Sequence, residues 1–426
     1  MTGPIPRAAM AATLLLPFAA GYFLSYLFRT INGPISDRLV QEFGLSPRNL
    51  GALTSLYFLA FAAFQIPAGL LIDRYGPRRI QAVLLLVASL GAATFALASG
   101  PGMLMLGRLL IGLGTSAALV TSLKAIVLWL PETRRTTATA CLIACGGLGA
   151  TASTVPLDAV TGLLGWRGVF LMLAVAAVAV AVLVWRCVPD QPEAAVAQAG
   201  SLHETWQGLG VVFQDGRFWR VAPLSAMVVG AAFAVHGLWA ARWLGDVRDL
   251  PAHEIASVLL AMGLGLTGGA SLFGILAKHA KRRGIGTQPL FGATCIAFMA
   301  IEAAVMAAAP VPPVLLLGVF GAFGAVTVLS FSLVGELFPP FLVGRANGAL
   351  NVLHLGTAFL MQAGIGAIVS LWPARAGGHT PAAAYAAAFG CLIIVQATAF
   401  AWFLFACSRR AARTGRYPAI AEAQPE

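Results

Sequence analysis

Few side chains in this chain could do chemistry, and most of them are cations set in apolar surroundings. Arg29 stands in Tyr26-Leu-Phe-Arg29-Thr-Ile-Asn32, Arg108 in Arg108-Leu-Leu-Ile-Gly112-Leu-Gly114, and Lys124 in Thr121-Ser-Leu-Lys124-Ala-Ile-Val-Leu-Trp129. A guanidinium held away from water is a fork for a carboxylate or another planar anion. Arg29 therefore reads either as an anion ligand or as a side chain snorkelling to a headgroup layer. Lys124, five residues before Trp129, divides the same way. His236 and His354 are the histidines deepest in apolar runs, and both suit proton exchange or a packed hydrogen bond. Glu302 is a carboxyl in an apolar run, a secondary candidate for coupling. Asn32, Tyr57, Gln65, Trp239, Asn351 and Gln362 could supply polar contacts around such a site. Cys295, Met299, Glu302 and Met306 fall at i, i+4, i+7 and i+11, a stripe that would suit a soft metal or, more simply, helix packing.

The segments that must carry these residues are set by composition. Of 426 residues, 59% are hydrophobic and 10% charged, with a mean hydropathy of +0.85. Soluble domains carry about 25% charged residues, so a water-soluble enzyme is excluded, and so is a disordered chain. A hydrocarbon layer about 30 Å thick needs about 20 apolar residues per helix. Six such runs lie between about residues 8 and 187 and six between about 219 and 406. The expected fold is an all-α membrane protein of twelve helices in two halves, residues 1–188 and 218–426, joined by a polar linker at 189–217. The first run, from Ala8 to about Phe28, is too long for a signal-peptide core and reads as a span.

The net charge of +11 sits in short loops between the runs, without any nucleic-acid-binding motif. Most Lys and Arg fall on the side of the two termini, including Arg74, Arg78, Arg79, Arg134, Arg135, Lys278, Lys281, Arg282, Arg283, Arg409 and Arg410. Arg38, Arg48, Arg167, Arg242, Arg248 and Arg375 fall opposite. The positive-inside rule then places both termini in the cytoplasm. The six cysteines form no CxxC pair, so no metal or disulfide framework is expected. No phosphate-binding Gly-Lys-Ser/Thr loop and no nucleophile–base constellation is present, so neither a cofactor nor enzymatic activity is expected.

The halves echo each other. Gly69-Leu-Leu-Ile-Asp73-Arg74-Tyr-Gly-Pro-Arg78-Arg79 follows the second run and Gly274 to Arg283 the eighth; Trp129-Leu-Pro131 follows the fourth and Leu337-Phe-Pro339 the tenth. Trp166-Arg-Gly-Val-Phe170 opens the sixth and Tyr385 to Phe389 the twelfth. Parallel six-helix repeats of this kind put a binding site near the midplane between halves.

With its Gly69–Arg79 loop motif, its Arg108–Gly114 motif and its Gly165-Trp166-Arg167 connection, the chain resembles the major facilitator superfamily over essentially its whole length. The resemblance implies a secondary transporter working by alternating access. In it, Gly69, Asp73, Arg74, Arg78 and Arg79 would be a latch acting across the halves, and Arg108 a structural or coupling residue. Arg29 resembles the aromatic-x-x-Arg of anion:cation symporters, where it binds a carboxylate, and Lys124 also has a parallel there. Thr115 stands where some of those symporters carry a Glu, and Lys278 where the second loop motif often has Asp. The expectation is proton-coupled uptake of a small organic or inorganic anion by a monomer in a bacterial inner membrane. Substrate contacts would come from Arg29, Lys124, Asn32, His236, His354, Gln362 and Asn351, and coupling from Arg108, His236, His354 and Glu302. Two alternatives stand beside it. One is an efflux antiporter for amphipathic compounds, weakened by the lack of a Gly-Pro pair in Gly146–Thr151; the other is a copper or iron importer. Gly263-x-Gly265 and Gly318-x-x-Gly321-x-x-Gly324 would permit close helix contact as the halves rock.

Overall fold

The computed structural model describes residues 7–191, 202–373 and 379–408; Arg375, Arg409 and Arg410, used above for orientation, lie outside them. Every regular element among these residues is helical. Backbone groups in hydrocarbon must be satisfied within their own segment, which leaves a helix as the economical solution for each run. Among the described residues, nine helices are long and apolar enough to cross a membrane. One of them, Pro47–Ala96, holds two spans folded back on each other at Gly76, whose φ of 82° suits glycine and ends the second span. Arg7–Thr30 and Glu132–Ala152 are helices of 24 and 21 residues, each long enough to cross, and they bring the spans to twelve among the described residues.

The first span, Arg7–Thr30, breaks at Ile31 and continues as Asn32–Phe43. The fourth covers Pro101–Thr115 and Ala118–Trp129, the fifth Glu132–Ala152, and the sixth follows Gly165 (φ 68°) within Val155–Cys187. A linker helix, Leu202–Gln214, precedes the second half. There the seventh span runs Phe218–Ala234, a π-helical turn Val235–Trp239 and Ala240–Arg248. The eighth is Ala252–Arg282 and the ninth Thr287–Met306. The tenth comprises Pro313–Gly324 and Thr327–Leu337, the eleventh Pro340–Val369 and the twelfth Ala382–Ser408.

Glycines set the helix spacing inside each half. A methyl group at Gly112 would overlap the Tyr57 carbonyl oxygen, and one at Gly114 the Ala88 amide. In the second half the same holds for Gly321 against Met262 and Gly265 against Gly318. Lipid offers no hydrophobic drive between helices, so close backbone approach supplies the dispersion energy instead. Gly265, Gly318 and Gly321 thus form the seam between the eighth and tenth spans, while Gly263 faces Thr151 of the fifth span across the halves and Gly324 lies against Ala232 of the seventh.

The halves meet at the end away from the linker. Gly51 on the second span touches Gly366 and the Gln362 carbonyl on the eleventh, and Gly33 lies beside Ala241 on the seventh. Arg242 bonds Asp37 across the halves and Asp246 at 3.2 Å within its own. Asp246 also accepts from Tyr385 at 2.6 Å and lies 3.3 Å from His379. At the linker end the halves stand apart: among the described residues, the second part of the fourth span makes no substantial contact with the tenth or eleventh. Gly69 has open space around it, and Val127 is 52% exposed.

Candidate functional site between the halves

The break at Ile31 puts Arg29 in the last helical turn of the first span, beside the second and seventh. Tyr22 and Tyr26 precede it by seven and three residues, on the same helix face. Their rings meet edge-on at 5.1 Å. The Arg29 guanidinium lies 4.6 Å from the Tyr26 ring, 5.2 Å from Phe61 and 5.3 Å from Phe233. Three aromatic faces thus share one cation, an attraction that strengthens as water is removed. Arg29 remains half-buried, and its buried Nε has no hydrogen-bond partner among the described residues.

The walls are built from both halves. Phe58 on the second span stacks on Phe233 of the seventh, with centroids 6.2 Å apart and planes within 5°. Tyr57 is fully buried, donating to the Ser25 carbonyl and accepting from Thr115, each at 3.2 Å. His236 sits in the π-helical turn, half-buried, with Arg29 as its electrostatic neighbour. A π turn leaves a carbonyl out of register, and here the side chain of Gln362 meets it: with its amide so oriented, it donates to Ala234 at 2.9 Å.

Other residues singled out from the sequence lie elsewhere. Lys124 forms a 2.8 Å ion pair with Asp73, so it does not join Arg29 and does not snorkel free. That pair also shows where the expected latch residues sit in this conformation. Asp73 pairs within its own half, while Arg78 and Arg79 reach Asp190 at 3.0 and 3.6 Å and Arg74 stacks by Tyr75. A carboxylate takes the nearest cation, and with the linker end parted the nearest is Lys124. Arg108 is fully buried between Phe95 and Phe170 and donates to the Phe28 carbonyl at 2.8 Å. It therefore holds the backbone next to Arg29 without reaching the site itself. His354 bonds Ser225 at 2.7 Å with its ring against Phe331, fully buried within the second half. Asn32 donates to Thr54 at 3.0 Å, and Asn351 is half-buried on the eleventh span. Glu302 accepts from Gln396 at 2.6 Å between the ninth and twelfth spans. Cys295 on the same helix is fully buried, which gives the soft-ligand stripe a packing role.

Of the expected contacts, then, His236 is near enough to Arg29 to interact with it electrostatically, and Gln362 meets the turn that carries His236. Tyr26 is visible in the sequence as the aromatic of the aromatic-x-x-Arg pattern, whereas Tyr22, Phe58, Phe61 and Phe233 emerge only from the structure. The signal that could have found Tyr22 is the i, i+4, i+7 spacing of Tyr22, Tyr26 and Arg29.

The model of the Major Facilitator Superfamily matches residues 18–360. The chain belongs to that superfamily. Among superfamily proteins of known name it is 30% identical, over 178 residues, to one from Escherichia coli K12 named a probable L-galactonate transporter. That match covers 42% of this chain and 39% of the relative. It is 24% identical over 283 residues to the hexuronate transporter of Bacillus subtilis, covering 64% of this chain and 66% of that one. The chain therefore matches less than two thirds of the length of either. The superfamily fold is seen again in the crystal structure of a nucleoside transporter, with a TM-score of 0.75 at 14% identity over 92% of this chain and 99% of that one. The relatives are named as transporters, not enzymes.

Proposed function

We propose that this protein is a secondary transporter that carries a small organic or inorganic anion by alternating access, with Arg29 as the anion ligand. The observation that carries the reading is a guanidinium with an unpartnered Nε, half-buried between first, second and seventh spans where the two halves meet. Such a charge is costly in hydrocarbon unless a counter-ion or polar cavity meets it. The positive-inside distribution supports a cytoplasmic linker end; in a bacterial inner membrane the conformation described is then open inward. The units are taken as 1–188, a cytoplasmic linker at 189–217, and 218–426, working as a monomer. Energy comes from a proton taken up with the anion, and His236 is the best-placed carrier. It faces Arg29 across the half-to-half boundary, and an anion on Arg29 would screen the repulsion between the two cations. His354, Glu302 and Arg108 serve this reading by holding their helices.

Uptake into proteoliposomes under an inward proton gradient tests it, with labelled galactonate, glucuronate, benzoate and nitrate as trial anions. The expected result is gradient-driven uptake of at least one anion that Arg29→Gln abolishes. Uptake unchanged by Arg29→Gln sinks the assignment of the ligand, and uptake indifferent to the gradient sinks the proton.

A further inference from the structure

Resting on the reading of Arg29 as the anion ligand, the geometry points to a narrower substrate: a monoanion with an apolar, preferably aromatic, body. The charge count comes first. Lys124 is paired with Asp73 at 2.8 Å and Arg242 with Asp37 and Asp246, while Arg108 is fully buried between Phe95 and Phe170 and bonded to the Phe28 carbonyl; among these, Arg29 is the cation at the half-to-half boundary with no carboxylate partner among the described residues. A second carboxylate carried in with the first would lose its water and find no partner.

The shape of the cation's surroundings comes second. Rings of Tyr26, Phe61 and Phe233 lie 4.6–5.3 Å from its centre. With rings on several sides, an anion is drawn to the guanidinium edge that carries Nε, an atom without a hydrogen-bond partner among the described residues. A carboxylate docked on that edge is planar with the guanidinium. Its substituent then extends past Phe61, Phe233 and Phe58, where the stacked pair of Phe58 and Phe233 joins the halves. These surfaces reward a flat apolar group.

Polar capacity comes third. A sugar acid brings four or more hydroxyls, and each would need a partner on losing water. The Tyr57 hydroxyl is already committed to Ser25 and Thr115, Thr54 holds Asn32, and Gln362 is spent on the π turn. His236, Gln65, Asn351 and the Tyr22 and Tyr26 hydroxyls remain, and the last two bond each other, which is too few for a polyol. The site therefore departs from the substrates named for the galactonate and hexuronate relatives.

The test is a thermal-shift and equilibrium-binding comparison on purified full-length protein with phenylacetate, benzoate, acetate, tartrate, galactonate and a lipophilic cation. The expected order is phenylacetate or benzoate first, acetate about tenfold or more weaker, and tartrate and galactonate without effect. Arg29→Gln should abolish the aromatic acid's shift. Phe233→Ala and Phe61→Ala should each weaken it about threefold to tenfold while sparing acetate. Tartrate or galactonate binding as tightly as phenylacetate, and lost in Arg29→Gln, overturns the apolar-monoanion inference and leaves the anion ligand standing. No anion binding through Arg29, or stabilisation only by the lipophilic cation, overturns both. The ligand ranking on the unaltered protein decides even if a variant fails to fold.

Discussion

At the scale of single residues, the decisive quantity is how each charge in the membrane is satisfied. Arg29 meets aromatic faces and keeps one edge free; Arg108 meets a carbonyl; Lys124 meets Asp73. Arg29→Lys keeps the charge but loses the planar fork and most of its ring contact, so anion affinity should fall about tenfold or more. A titration beside wild type measures it, and equal affinity would mean that charge alone binds. Outside the membrane, partial burial pushes the Asp215 carboxyl up, but bonds from the Arg217 side chain and backbone more than reverse this and hold it below the usual carboxylate range. A depressed folded-state value stabilises above the unfolded value of about 4 and ceases to as pH falls through the folded one. Melting temperature should therefore drop as pH falls below about 4, and Asp215→Asn should flatten that limb. An unchanged acid limb would mean that the pair with Arg217 contributes nothing to folding.

At the scale of elements, glycine position decides what a helix can approach. Gly112 lies against Tyr57, so Gly112→Leu must push the second and fourth spans apart. The expected loss is about 1–3 kcal/mol or more, seen as a lower melting temperature, with weaker anion binding because the second span also carries Phe61 beside Arg29. Gly69 is the contrast, with nothing near it while the linker end is parted. Gly69→Leu should change stability by under about 0.5 kcal/mol yet slow transport severalfold, because the halves must close over that position in the other state. Full transport with Leu at 69 would show that closure does not bring a helix there. The helix elements themselves were readable from apolar run length. The π turn was not, since the residue that meets its polar groups, Gln362, lies 123 or more residues away from Trp239 and Ala234.

At the scale of the whole molecule, one end is closed by contacts that cross the halves and the other is open. Asp37 and Arg242 are the ionic part of that closure; Arg242 is well buried and Asp37 is more than half exposed. Solvent therefore screens the pair, and its contribution is about 1 kcal/mol or less. Asp37→Asn should shift the population opened at that end by up to about fivefold. Alkylation of Ser370→Cys, which lines the cleft of about 290 Å³ there with Arg242, reports it as a faster rate. An unchanged rate would assign the closure to the glycine contacts of Gly51 and Gly366 instead.

Run length and basic-loop asymmetry determined the helical class, the span number and the two-half organisation, because hydrocarbon leaves a chain almost no other way to satisfy its backbone. The loop and helix motifs determined the superfamily for the same reason: they mark turns and close approaches that this fold requires. Arg29 was visible because a lone guanidinium in an apolar run is conspicuous wherever it points. Its neighbours beyond Tyr26 were not, since aromatic residues at helical spacing serve packing and binding alike. Only the tertiary structure decided that Lys124 answers Asp73, that Arg108 holds the first span and that Phe61 and Phe233 enclose Arg29. Each of these is a pairing between distant segments, and which partner a charge or ring meets depends on how the helices lie against one another.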